Sequence, residues 1–202
     1  DGTYETVAER VFDPDVVYAS SKNAEAGAQF SAVLEEKMRQ LYGVYLYLRD
    51  HDLSEQSNTS RLLQEHSQGY LVSRLADELE ELAEVQSGEH AHTGRQPDTI
   101  VEGSQVGYWL LLLAATKKLR YDEFTPHASI LRGYYYRYGE GQAIEQQQNC
   151  LSLVAESDLA RFAQGLQHGF ALIGWACAEA EVSPLAPAEY DIEQMKRKGL
   201  LS

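Results

Sequence analysis

Five carboxylates fall within the eight residues Asp77-Glu78-Leu79-Glu80-Glu81-Leu82-Ala83-Glu84, inside a stretch with helical periodicity. About twenty residues later a second, strongly apolar helical segment opens with Glu102. Two helices that pack together, each bearing carboxylates, are a common way for an all-α protein to hold a hard divalent cation such as Mg²⁺. An ion held there would bind phosphate oxygens, neutralise developing charge and lower the pKa of an attacking water, and a free carboxylate could take that water's proton. The same acids also fit a solvated helix face, and both readings stand at this point.

The elements that must position these groups read as helices. Ala, Leu, Glu and Gln dominate the long segments, and the chain holds only five prolines. A first helix is expected from about Ala26 to Arg49, where Phe30, Val33, Leu34, Met38, Leu41, Tyr42 and Tyr45 recur mostly at spacings of three and four. A second zone runs from about Thr59 to Gln86, with a break near Ser67-Gln68-Gly69. There Val72, Leu75, Ala76, Leu79, Leu82 and Ala83 form an apolar stripe; at about 100° per residue, Asp77, Glu80, Glu81 and Glu84 gather opposite it. Ser87–Asp98 is a loop with Gly88, Gly94 and Pro97 as breakers. A third helix, from about Thr99 to Lys118, is apolar nearly all round over Tyr108–Ala115, which puts it at the centre of the core.

Asp122–Phe124 reads as a short helix or turn, and a fourth helix begins near Ala143. A fifth spans about Ser157 to Glu181 with Ser157 as N-cap, and a short last helix covers Tyr190–Lys198. The fold class is therefore all-α, a bundle of about five main helices after an irregular arm over residues 1–25. Val106–Phe124 and His168–Tyr190 share a pattern of apolar helix, break and acidic-aromatic turn, as a duplicated helical hairpin would.

Composition narrows the function classes. A formal net charge of −14 repels bare phosphate backbones, so a nucleic-acid polymer is not an expected partner. An acidic protein can still act on phosphates through bridging metal. The longest apolar stretch, Tyr108–Ala115, falls well short of the ~18 residues of a membrane span. Cys150 and Cys177 form neither a disulfide framework nor a zinc motif, which points to a reduced, cytoplasmic setting. No Gly-x-Gly-x-x-Gly, Walker loop or serine elbow is present. His90-Ala91-His92, in the loop between the acidic helices, suits an exposed polar loop, a transition-metal pair or a cover that touches phosphate.

Several segments, in order, resemble phosphoribosyl-ATP pyrophosphohydrolase and the wider MazG-like superfamily of all-α nucleotide pyrophosphatases. Phe30-Ser31-Ala32-Val33-Leu34-Glu35-Glu36-Lys37 looks like the family's opening helix, and Ser57-Asn58-Thr59-Ser60-Arg61-Leu62-Leu63 is similar to its Ser-Tyr-Thr-Ala-Arg-Leu-Leu stretch. Glu80-Glu81-Leu82-Ala83-Glu84-Val85 matches the Glu-Glu-x-x-Glu metal motif. Glu102-Gly103-Ser104-Gln105, followed by Val106 to Leu111, resembles the second metal helix, usually Glu-x-x-Asp and then Leu-Leu-Tyr-His.

The resemblance implies a hydrolase that holds Mg²⁺ or Mn²⁺ through Glu80, Glu81, Glu84 and Glu102, with Glu81 as the catalytic carboxylate. It further implies a nucleotide substrate bound through the metal, cleaved to a monophosphate and pyrophosphate, and a homodimer. Gln105 stands where the family has an aspartate; an amide oxygen can bind Mg²⁺ but brings no charge, and Asp98 is a substitute one turn earlier. A shifted register would instead use Asp77, Glu78 and Glu81, so Glu81 belongs to both. On this reading residues 26–128 are the pyrophosphohydrolase-type region, and 129–202 are a helical extension or a degenerate repeat on the same bundle. The alternative is a catalytically silent homologue that serves as a binding or scaffold protein.

Overall fold

The computed structural model describes the backbone of residues 21–136 and 138–202, and side chains from residue 30 onward except 137 and 140. Among these residues there are eight α-helices, one 3-10 turn and no strand. In chain order they are α1 Ser21–Asp50, α2 Asn58–Glu65, α3 Gln68–Ser87, α4 Arg95–Thr116, the 3-10 turn Tyr121–Glu123, α5 Pro126–Tyr136, α6 Glu140–Val154, α7 Leu159–Glu179 and α8 Ala186–Arg197. The irregular arm expected over residues 1–25 lies outside the described residues up to 20, and Ser21 onward already belongs to α1.

Local chemistry sets these boundaries. The break between α2 and α3 falls at His66-Ser67, where the Ser67 hydroxyl caps α3 by accepting from the Tyr70 amide at 3.3 Å. The α7 cap is Asp158, one residue beyond the expected Ser157; its carboxylate accepts from the Arg161 amide at 3.0 Å. Tyr134, Tyr135 and Tyr136, of no clear conformation in the sequence, finish α5. Among the described residues the bundle thus has five long helices, α1, α3, α4, α6 and α7, as expected, joined by the shorter α2, α5 and α8.

One core of buried side chains draws on every helix from α1 to α8. Within it α4 and α7 are central. Leu110–Ala115 of α4 and Phe170–Ile173 of α7 are all buried, as the apolar run of α4 leads one to expect. Helix α7 packs most extensively on α5, α6 and α4, while α4 also carries α3 and α8. Residues 129–202 therefore share the core of the preceding half.

The crossing of α5 and α7 depends on glycine at both faces. A Cβ at Gly133 would stand 1.7 Å from the Ala171 carbonyl oxygen, and one at Gly174 would stand 1.8 Å from that of Ile130. Both obstacles are backbone, which cannot rotate aside. Gly174→Ala is expected to cost about 3 kcal/mol or more in urea unfolding, at the upper end of overpacking effects. Gly43→Ala, on the exposed side of α1 with nothing within 4 Å of its Cβ, should instead stabilise by roughly 0.5–1 kcal/mol through helix propensity.

Candidate metal centre

Helices α3 and α4 form an antiparallel hairpin, and their buried seams carry carboxylates. On α3 the buried positions Leu71, Leu75, Glu78, Leu82 and Val85 are spaced alternately four and three apart, with Leu79 buried beside them. On α4 the series Thr99, Glu102, Val106, Trp109 and Leu113 has the same spacing and is likewise buried. Glu78 and Glu102 thus occupy seam positions that apolar residues fill elsewhere along each helix.

Glu81, one turn after Glu78 and half-buried, joins them. One carboxylate oxygen from each of Glu78, Glu81 and Glu102 lies within 4.8 Å of the others. Two oxygens bound to one Ca²⁺ lie at most about 5 Å apart, and two bound to one Mg²⁺ about 4 Å, so a single hard cation fits after contraction by a fraction of an ångström.

The electrostatics fit that reading. Burial, followed by the negative charges of Glu81 and Glu78, pushes the Glu102 carboxyl up to about 7 from an ordinary 4.5. Burial and the charge of Glu81 also raise Glu78, while Arg74, 3.3 Å away, pulls the other way. The Arg74 guanidinium also pairs with Asp77 at 2.9 Å and lies 5.5 Å from the centre of the Trp109 ring. Among the described residues only two buried side-chain polar atoms lack a hydrogen-bond partner, Trp109 Nε1 and His90 Nε2. Both lie at this cluster: the Trp109 indole favours the ionised form of Glu78, and His90 Nε2 is 3.9 Å from Glu102 Oε1. Three carboxylates converging at one largely buried point are a donor set suited to a hard divalent ion.

The loop between the helices is tied down by Asp98. Its carboxylate accepts from the amides of His92 (2.8 Å), Thr93 (3.0 Å) and Gly94 (3.3 Å) and from the Thr93 hydroxyl (2.8 Å). These donors hold the Asp98 carboxyl well below the usual carboxylate range. They also start α4 at Arg95, four residues before the expected Thr99, and bring His90 beside Glu102.

Of the expected site residues, Glu81 and Glu102 meet, and Glu78 completes the group. The others lie elsewhere. Glu80 is exposed and, with Glu84, borders a separate cleft of about 680 Å³ against α6 and α7. A rotation of about 200° from Glu78 to Glu80 turns the latter away from α4. Asp77 is exposed and paired with Arg74. Asp98 spends both oxygens on the loop. Gln105 is exposed and lines a larger cavity of about 1080 Å³ between α1, α2, α4 and α8. The structure therefore assembles the cluster closer to the shifted register than to Glu80/Glu81/Glu84. The signal for Glu78 was its place between Leu75 and Leu82 on the seam, which a count of carboxylates on the polar face passes over.

That larger cavity adjoins the cluster through Trp109, which lines it. Tyr47, Tyr108 and Tyr190 supply aromatic surface there, and Asn58, Gln40 and Gln194 supply amides. Tyr108 is fixed by a 2.9 Å hydrogen bond between its hydroxyl and that of Thr59. Asp191, whose Oδ2 accepts from the Tyr45 hydroxyl at 2.9 Å, is raised to about 6 by burial. Comparison with known proteins leaves the geometry to speak alone: no family model, curated protein or solved structure matches the chain.

The raised carboxyls fix a pH dependence for the metal-free protein. Glu102 binds a proton more tightly folded than unfolded, so its contribution to stability is full below about 4.5 and is lost as pH rises through about 7. Asp98 has the opposite sign, its contribution being present above 3.8 and lost toward lower pH. Denaturant unfolding without metal should therefore show greatest stability near pH 5 and a loss on the order of 2 kcal/mol toward pH 8. Glu102→Gln should flatten that alkaline limb; an unchanged slope would show that Glu102 titrates normally.

Proposed function

We propose that the protein is a divalent-cation-dependent nucleotide pyrophosphohydrolase, with Mg²⁺ as the ion that the resemblance implies. The observation that carries this reading is the convergence of Glu78, Glu81 and Glu102 within 4.8 Å in a dehydrated niche beside a roomy aromatic and amide-lined cavity. When bound, the ion supplies charge neutralisation at phosphate oxygens and acidifies water. Glu78 and Glu102 would hold it from opposite helices. Glu81, half-buried and without a cation partner among the described residues, is the carboxylate free to accept a proton. Water adds to the α-phosphorus, the α–β anhydride bond breaks, pyrophosphate leaves and the proton passes to Glu81. Trp109 stands between the phosphate end and the cavity, whose aromatic walls suit a base and whose amides suit its edges.

Gln105, off the cluster and in place of the family's aspartate, favours the second reading, a homologue that binds but does not turn over. Pyrophosphate release from a panel of nucleoside triphosphates decides between them. Activity that falls by roughly 10²-fold or more in Glu81→Gln supports the enzyme. Metal binding without release from any nucleotide supports the silent form. Calorimetry near pH 6.5 should show protons expelled as metal binds, because Glu102 must ionise.

The homodimer belongs to the same proposal. Light scattering should give twice the 22.7 kDa of one chain; a monomeric mass would require that the site be complete within one copy. Among the described residues no helix is long and apolar enough to cross a membrane.

A further inference from the structure

We infer that the large cavity between α1, α2, α4 and α8 takes the guanine base of a nucleotide, with Asp191 as the residue that selects it. The inference rests on the reading of this cavity as a base pocket, and it needs neither the metal centre nor turnover.

Asp191 is set apart by its place. The sequence holds 31 acidic residues, yet among the described residues Asp191 is the one carboxylate that lines this cavity, and Lys198 is the one cation. Asp191, Gln194 and Lys198 follow one another at spacings of three and four, so they share a face toward the C-terminal end of α8, and all three line the cavity. The carboxylate is also held in position. Its Oδ2 accepts from the Tyr45 hydroxyl at 2.9 Å, and Tyr45 is fully buried and packs edge-on against Tyr108. Among the described residues that hydroxyl is the one hydrogen-bond partner of Asp191, which leaves Oδ1 unused. Burial raises the carboxyl to about 6, so it is ionised at pH 7.5, and the Tyr45 hydrogen bond and the Lys198 charge favour that form.

An ionised carboxylate accepts hydrogen bonds and donates none. Of the common bases only guanine offers two adjacent donors on one edge, N1–H and the 2-amino group, with the O6 carbonyl beside them. Adenine and cytosine set a ring-nitrogen acceptor next to a single amino donor, and uracil flanks N3–H with two carbonyls. Each of those edges brings a lone pair against a carboxylate that has lost its water, and the mismatch lowers affinity. Gln194, one turn further along the same face, carries an amide that can donate to O6. Tyr108 and Tyr190 offer aromatic surface to the plane of the ring. Amides elsewhere on the wall can donate or accept and so discriminate little, which leaves the choice of base to Asp191.

GMP, IMP and XMP are the probes, since they differ only at C2, which bears an amino group, a hydrogen or a carbonyl. Calorimetry on the full chain without metal should show GMP bound at least roughly tenfold more tightly than IMP, XMP or AMP. Asp191→Asn keeps an oxygen for the Tyr45 hydroxyl and places an amide donor at the other position. It should weaken GMP by roughly tenfold or more and tighten XMP, which inverts the order of the two. Loss of a purely structural carboxylate would instead weaken every nucleotide alike. Circular dichroism and a urea midpoint establish that the variant folds, and the wild-type order tests the choice of base without it. The inference is overturned if the wild type binds GMP, IMP and XMP equally, if it prefers AMP, or if Asp191→Asn weakens all of them by the same factor. Those results leave the pyrophosphohydrolase reading standing, because pyrophosphate release is measured separately. If no mononucleotide binds the wild type at millimolar concentration, the reading of the cavity as a base pocket fails and the inference falls with it.

Discussion

Burial of the second half of α4, from Trp109 to Ala115, is the constraint from which the rest of the structure follows. From Trp109 to Ala115 every side chain of the helix is buried, and α4 packs against α3, α7, α8 and α1. Glu102 sits on that same helix, one turn before Val106 on the seam facing α3. Its carboxylate is held in a dry niche because the apolar half of the helix fixes its place. Glu78 and Glu81 meet it there, and an assembly of like charges out of water is costly unless something compensates. Arg74 offsets part of the charge, and a proton on Glu102 offsets more. The proposed cation would offset the remainder.

The loop between α3 and α4 turns this niche into a defined constellation. An Asp98 carboxylate that satisfies three consecutive amides does the work of a helix cap and a loop staple together. Its value is positional, since the loop that it fixes carries His90 to Glu102. On the opposite flank Trp109 has a comparable part. It packs edge-on against Tyr108 and lines the large cavity.

Further from the site, the glycine contacts of α7 set how tightly the second half of the chain closes on the first. Gly133 and Gly174 let α5 and α7 touch backbone to backbone, and Gly169 takes Leu110 of α4 into the same face. Such contacts fix α4 from behind while α3 and α8 cover it in front. The helices of residues 129–202 thus contribute the packing that keeps the acidic hairpin rigid. A ligand set formed by two helices needs that rigidity to hold its oxygens within 4.8 Å.

Helical class, the central place of the apolar helix, and the pairing of an acidic helix with Glu102 were all legible in the chain, because each rests on periodicity or on an unbroken apolar run. Helix α5 was less so, since its short span ends in Tyr134-Tyr135-Tyr136 and shows no sustained period. Tertiary structure alone decided which carboxylates converge. In sequence Asp77, Glu78, Glu80, Glu81 and Glu84 are near equivalents. In the fold only those within about 60° of the α3–α4 seam meet Glu102, and the others face solvent, Arg74 or another cleft. The same holds for Asp98, whose carboxylate holds the loop that brings His90 beside Glu102. Composition and period determine what kind of element forms, because they act within one helix. Which side chains share a point in space depends on how two helices are rotated against each other, and that rotation is set by the packing of the whole core.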